Sequence, residues 1–317
     1  MRRDAFTRFT FVVLGYNLLV IAWGAFVRAT GSGAGCGAHW PLCDGEVVPT
    51  DPSVARMIEF SHRASSGLAM VLVLAMAIWS FRARDKGDPA RKAAVFSFVF
   101  VLTEALIGAG LVLFELVAHD ASMKRALSMT LHLTNTFVLL TCLVLTARAA
   151  TGAPRLRLTS QGVAPWLALV VMAVTLILGM SGAIAALGDT LFPAKSLSEG
   201  FAQDLMPGAN LFVKLRTLHP MIATATGAAL IGFVTVAPML RRTEHVKQSA
   251  RRLFVLFGAQ FVLGLVNVYL LAPIWMQLVH LLMADSVWIA LVLLCAELLR
   301  SDHAAIEPRV AQESVAL

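Results

Sequence analysis

Apolar runs of about twenty residues recur along this 317-residue chain, each long enough to cross a ~30 Å hydrocarbon core as a helix. Apolar residues make up 58% of the chain and charged residues 14%, too few charges to clothe a water-soluble fold. The runs define eight spans, at about 9–29, 58–81, 93–115, 126–148, 164–187, 215–239, 252–271 and 276–299. The expected fold is an all-α membrane protein of eight transmembrane helices. Arg2, Arg3 and Arg8 precede the first span in the manner of a signal peptide. That span is longer than a signal-peptide core and no clear small-residue cleavage pattern follows it, so it reads as a retained helix.

Orientation follows from Lys and Arg placement. With the N-terminus inside, eighteen of the 26 basic residues fall on the inner side, among them Arg82, Arg84, Lys86, Arg91, Lys92, Arg241, Arg242, Lys247 and Arg309. Both termini are therefore expected in the cytoplasm of a bacterial-type inner membrane. The formal charge of +7 is this inner-loop excess. It lacks the clustering of a nucleic-acid-binding face, so no nucleic-acid partner is expected.

The chain divides into two four-helix halves, 1–150 and 151–317, joined by a polar linker at about 149–163. Four correspondences carry this reading. Gly24-Ala25 matches Gly182-Ala183, and His62 matches His219. Glu104-x3-Gly108 matches Gln260-x3-Gly264, and His132 matches His280. The offsets are 158, 157, 156 and 148, the last shortened by a smaller turn at 272–275 than at 116–125. Each half has an even number of spans, so the halves run parallel, as two pseudo-symmetric four-helix bundles about an axis along the membrane normal. Small residues in the third and sixth spans read as close helix packing.

Ionisable side chains inside membrane spans are rare and mark sites. His62, His132, His219 and His280 all lie on even-numbered spans, four to seven residues from the outer end, roughly 5–10 Å deep at ~1.5 Å per residue. One such histidine is ordinarily a hydrogen-bonded packing residue. Four at equivalent places, with spans 2 and 4 facing each other and 6 and 8 likewise, point to two bis-histidine sites for flat macrocycles, heme foremost. Zinc would call for a tetrahedral set with Cys or carboxylate nearby. His39, His119, His245 and His303 read as solvated loop or tail residues.

Glu59 stands three residues before His62, on nearly the same helix face. It reads either as a carboxylate serving the histidine site or as a partner of Arg56 or Arg63. The matching position before His219 holds Arg216, so the two sites differ, with reaction chemistry expected in the first half. Glu104 reads as an interhelical hydrogen-bonding group, with a part in a proton path as the second reading. Arg28, Arg63 and Arg216 lie at the histidine level, placed for heme propionates or for snorkelling. Cys142 and Cys295 read as core residues. Cys36 and Cys43, on the oxidising side, read equally as a loop-stapling disulfide or as a redox pair.

The stretch Gly24-Ala-Phe-Val-Arg-Ala-Thr-Gly-Ser-Gly-Ala-Gly-Cys-Gly-Ala-His-Trp-Pro-Leu-Cys43, with Glu59-Phe-Ser-His62-Arg63 and Gly67, resembles the heme A synthase family. The resemblance covers all eight spans. It implies oxidation of a ring methyl of heme O to a formyl group, by successive hydroxylations and loss of water, to make heme A for terminal cytochrome oxidase. It implies heme b as cofactor on His219 and His280, heme O as substrate at His62 and His132, Glu59 as the acid linked to catalysis, and a disulfide or heme-handling role for Cys36 and Cys43. Implied partners are heme O synthase and cytochrome oxidase assembly factors; no electron donor is identified. Some family members carry a second cysteine pair, and this chain has none between 188 and 214.

Two other functions compete. A diheme b-type electron-transfer protein also uses paired histidines, but it carries electrons across the membrane, and here all four lie on the outer side. A quinone-linked thiol oxidase accounts for the cysteine loop and leaves the histidines without a role.

Overall fold

The computed structural model describes residues 4–51 and 53–301. Arg2, Arg3, His303 and Arg309 lie outside the described residues. The described chain is helical: α1 (Ala5–Ala29), α2 (Val54–Ala83), α3 (Pro89–Leu113), α4 (Met123–Ala150), α5 (Ala164–Leu191), α6 (Leu197–Leu205), α7 (Leu211–Arg216), α8 (Leu218–Leu240), α9 (Glu244–Tyr269) and α10 (Ile274–Leu298). Among the described residues, eight helical stretches are long and apolar enough to cross a membrane, α7 and α8 together forming one of them.

Several helices begin before their apolar runs because a polar residue caps them. Asp4, Ser53, Asp88, Ser122 and Thr243 each accept a hydrogen bond from a first-turn amide, satisfying a donor that has no partner within the helix. The histidines lie about 9–14 Å along the axis from the starts of their helices at ~1.5 Å per residue, counting α7 and α8 as one stretch. His245 falls within the first turn of α9 and not in a loop. The linker is shorter than expected because α4 continues to Ala150. It is tied at its middle, where Arg157 donates its amide to Leu299 and Ser301 to Arg155.

Helix α6 lies between spans, too short and polar for the hydropathy pattern to register. Its signal is Ser196-Leu-Ser-Glu199. The Ser196 hydroxyl accepts from the Glu199 amide at 3.2 Å, and the Glu199 carboxylate accepts from the Lys195 amide at 3.0 Å. This is a capping box displaced by one residue.

Helices α1, α2, α3 and α4 close a ring in which each packs on the next and α4 returns to α1. Helices α5, α8, α9 and α10 close a second ring in the same order. Helix α2 therefore stands diagonally from α4, and α8 from α10. The halves also share a detail of backbone. Helix α3 ends with the Leu116 amide donating to Leu111, and α9 ends with the Ala272 amide donating to Asn267. Each closure places a non-glycine residue in the left-handed region, Glu115 at φ 55° and Leu271 at φ 61°, as the six-to-one closure of a helix end requires.

The rings meet along α1 and α4 of the first and α5 and α10 of the second. Phe137 of α4 stacks on Trp288 of α10 with ring centroids 4.6 Å apart. The Trp288 indole donates to the Phe137 carbonyl and the Thr141 hydroxyl. Arg148 pairs with Glu297 at 3.0 Å at the C-terminal ends of α4 and α10. At the C-terminal end of α1, Arg28 donates to the Ala186 carbonyl, the Thr190 hydroxyl and Gln277.

Candidate heme-binding centre

Each histidine of interest lies against a glycine of the preceding helix in its ring. A Cβ added at Gly24 would stand 2.9 Å from His62 Cε1, one at Gly182 3.1 Å from His219 Cε1, one at Gly264 3.2 Å from His280 Cε1, and one at Gly108 4.0 Å from His132 Cε1. The glycines that mark the repeat are thus seats for imidazole rings, a role not evident from the apolar pattern. His62 and His132 stand on the diagonal helices α2 and α4, and His219 and His280 on the diagonal helices α8 and α10.

The hydrogen-bond partners of the rings differ. Ser181 Oγ lies 2.9 Å from His219 Nδ1 and donates its own proton to the Leu178 carbonyl. The hydroxyl must then accept from Nδ1–H, which leaves the Nε2 lone pair for a metal. Glu104 Oε1 lies 3.4 Å from His132 Nδ1, which is buried and makes no aligned hydrogen bond. His62 Nδ1 is buried with no hydrogen-bond partner. His280 has its Nε2 3.1 Å from the Gln260 amide nitrogen, with Nδ1 buried and unpartnered. Sequence reasoning singled out the histidines and missed Ser181. Its reading of Glu104 as an interhelical hydrogen-bonding group holds, since Asn135 and Thr136 of α4 donate to it; the nearby His132 Nδ1 was not foreseen. It also missed Asp285 of α10, which is 0% exposed with neither carboxylate oxygen hydrogen-bonded; nothing in the structure explains that burial.

Glu59 is 3% exposed, so it is no surface residue. It accepts from the Cys36 amide at 2.8 Å and from the Arg63 guanidinium. Arg63 also donates to the His39 and Leu42 carbonyls, both at 2.7 Å. Cys36 and Cys43 are joined as a disulfide with Cα atoms 4.4 Å apart. At Gly35 a Cβ would stand 2.5 Å from the Ala55 backbone, so only glycine lets the loop lie directly on α2. Arg56 adds bonds to the Gly35 and Asp51 carbonyls and to Asp44. The loop and Glu59 form one unit seated a turn from His62, while His39 is an exposed residue 3.6 Å from Asp44. Arg28, Arg63 and Arg216 are all engaged with protein groups, Arg216 with Asp204 at 2.7 Å and Asp189 at 3.5 Å.

A macrocycle iron needs a lone pair from each of two facing imidazoles and space beside the rings. The glycine seats let each imidazole lie close to the neighbouring backbone. His219 and His132 have Nδ1 beside an acceptor and Nε2 available, and His62 has no competing partner. At His280 the ring must turn or Gln260 withdraw before Nε2 is available. With that one adjustment the residues fit two bis-histidine sites. Among the described residues no cluster of three or more His, Cys, Asp or Glu is arranged for a bare metal ion.

A family model described as cytochrome oxidase assembly protein matches residues 7–292. A Thermus thermophilus protein named protoheme IX farnesyltransferase is 46% identical over 310 residues, which is 97% of this chain and 51% of that protein. An Exiguobacterium protein named heme A synthase is 46% identical over 105 residues, 33% of this chain and 35% of its own length. Another of that name from Shouchella clausii is 48% identical over 97 residues, 31% of this chain and 32% of its own length. The chain spans about half the length of the Thermus relative.

Proposed function

Because the chain belongs to the heme A synthase family, we propose that it oxidises a methyl group of heme O to a formyl group, yielding heme A for a terminal cytochrome oxidase. The observation that carries this reading is the pair of diagonal histidine couples, each ring backed by a glycine seat. His219 and His280 would hold heme b in residues 151–317, and His62 and His132 would hold the heme O substrate in residues 1–150. Bound heme b supplies iron redox chemistry; the chain supplies position and electrostatics.

The residues around the first pair differ from those around the second in ways that suit reaction rather than storage. Glu59 is a buried carboxylate one turn from His62, held by Arg63 and the Cys36 amide, where it can stabilise positive charge or accept a proton. The disulfide loop covers this end of α2 and limits the approach of water. Arg28 binds α1, which seats His62 through Gly24, to Gln277 at the start of the His280 helix. A farnesyl tail would extend among the lipid-facing helices, as a membrane site allows.

The Thermus relatives are about twice as long as the matched region and carry a farnesyltransferase name. We assign that transfer to the portion beyond the match and methyl oxidation to the portion matched here. A single chain would then make a farnesylated heme and act on it. Electron transfer across the membrane is disfavoured because all four histidines lie near one end of their helices. The sites would face the outer side of a bacterial-type inner membrane, with both termini cytoplasmic.

The test is mass-resolved chromatography of hemes extracted from purified protein co-expressed with a heme O synthase. Heme b together with heme O, a hydroxylated intermediate or heme A is expected. Heme b alone at two per chain would establish the electron-transfer reading instead, and absence of heme would overturn both.

A further inference from the structure

Glu104 and Gln260 occupy matching positions on α3 and α9, each beside the second histidine of its half, and their chemistry is opposite. A carboxylate only accepts hydrogen bonds, whereas an amide nitrogen only donates. Glu104 stands at His132 Nδ1, 3.4 Å away. Gln260 places its amide nitrogen 3.1 Å from His280 Nε2. Glu104 therefore favours the tautomer with a proton on Nδ1 and a free lone pair on Nε2, while Gln260 caps the His280 lone pair.

A polar framework exists around Glu104 alone. The Asn135 amide donates to Glu104 Oε2 and to the Phe100 carbonyl, and Thr103 donates to Asn135 Oδ1 at 2.7 Å. The Thr136 hydroxyl lies between Glu104 Oε1 and the His132 carbonyl. The repeat replaces Thr103, Asn135 and Thr136 by Ala259, Met283 and Ala284, and Gln260 Oε1 is buried without a partner. A carboxylate within a membrane bundle is costly unless donors converge on it, and here they do.

We infer that Glu104 is a positioning residue. It accepts the Nδ1 proton of His132 and makes His132 the more electron-donating ligand, so that iron held in the first half has a lower reduction potential than iron held in the second. A small rotation of the ring aligns the contact as a hydrogen bond. A carboxylate behind a ligating histidine fixes the ring and raises its basicity, which favours the oxidised metal. This inference rests on the first histidine pair binding the substrate heme.

The test uses the full chain reconstituted with hemin and titrated potentiometrically, with His132→Ala and His280→Ala assigning the two midpoints. Glu104→Gln should raise the first-half midpoint by about 59 mV or more, equivalent to a tenfold change in the ratio of oxidised to reduced heme affinity, and leave the other unmoved. Glu104→Asp should retain most of the low potential, whereas Glu104→Ala should raise the first-half midpoint as Glu104→Gln does, and it carries the test if Glu104→Gln does not fold. Two bound hemes with the first-half midpoint unchanged in Glu104→Gln or Glu104→Ala overturn the inference and leave the functional reading standing. Full heme occupancy in His132→Ala would instead overturn the assignment of the first pair, and this inference with it.

Discussion

Substituting alanine at the four glycine seats should give a graded response that follows the geometry. Ordinary contact with an added Cβ begins at 3.4 Å, and the Cβ-to-ring distances are 2.9 Å at Gly24, 3.1 Å at Gly182, 3.2 Å at Gly264 and 4.0 Å at Gly108. The overlap is thus greatest against His62, smaller against His219 and His280, and absent against His132. Overpacking of a fitted interior costs about 1–3 kcal/mol, and about 1.4 kcal/mol is tenfold in affinity. Gly24→Ala should therefore weaken heme binding at the first pair roughly 5- to 150-fold, Gly182→Ala and Gly264→Ala should weaken the second pair less, and Gly108→Ala should bind as the parent does. Alanine also favours a helix interior by about 1 kcal/mol over glycine. Gly108→Ala should thus melt higher while Gly24→Ala gains little. Heme titration followed by Soret absorbance, with thermal melts of the same proteins, reads both quantities. Wild-type binding in Gly24→Ala, or equal losses in Gly24→Ala and Gly108→Ala, would refute the seating of the rings.

Glu59→Ala removes the acceptor of the Cys36 amide and of two of the Arg63 guanidinium nitrogens. Heme binding should persist while heme A formation falls sharply and hydrogen exchange of residues 35–43 rises; unchanged activity would remove Glu59 from the reaction. Arg28→Leu breaks three hydrogen bonds across the seam and should cost about 3 kcal/mol of stability, seen as a lower melting temperature with both histidine pairs intact. Asp4 is held below the usual carboxylate range, first by the hydrogen bond from Arg84 and then by bonds from Thr7. Its folded value lies below its unfolded one, so its contribution is complete above the unfolded pKa and fades as pH falls. Asp4→Asn should accordingly melt below the parent at neutral pH, with the gap closing progressively below about pH 4; a gap independent of pH would contradict the pairing.

Much of this protein was legible before any coordinates. Eight apolar runs leave a helical bundle as the only way to satisfy the backbone in lipid, and the offsets of His62 to His219 and Glu104 to Gln260 expose the repeat. Helix boundaries were less legible, because caps such as Ser53 and Ser122 extend helices beyond their apolar runs, and α6 has no hydropathy signal. The neighbours of each histidine were the least legible. Periodicity orients a side chain on its own helix and does not say which residue of another helix meets it.

Sequence by itself determined the number of spans, the histidines placed within them and the family to which their pattern belongs, since these depend on composition and spacing along one chain. Tertiary structure alone decided that α2 stands diagonal to α4 and α8 to α10, that a glycine backs each imidazole, that Glu59 supports the cysteine loop, and that His132 meets a carboxylate where His280 meets an amide. Those are contacts between helices far apart in the chain, set by how the two rings pack.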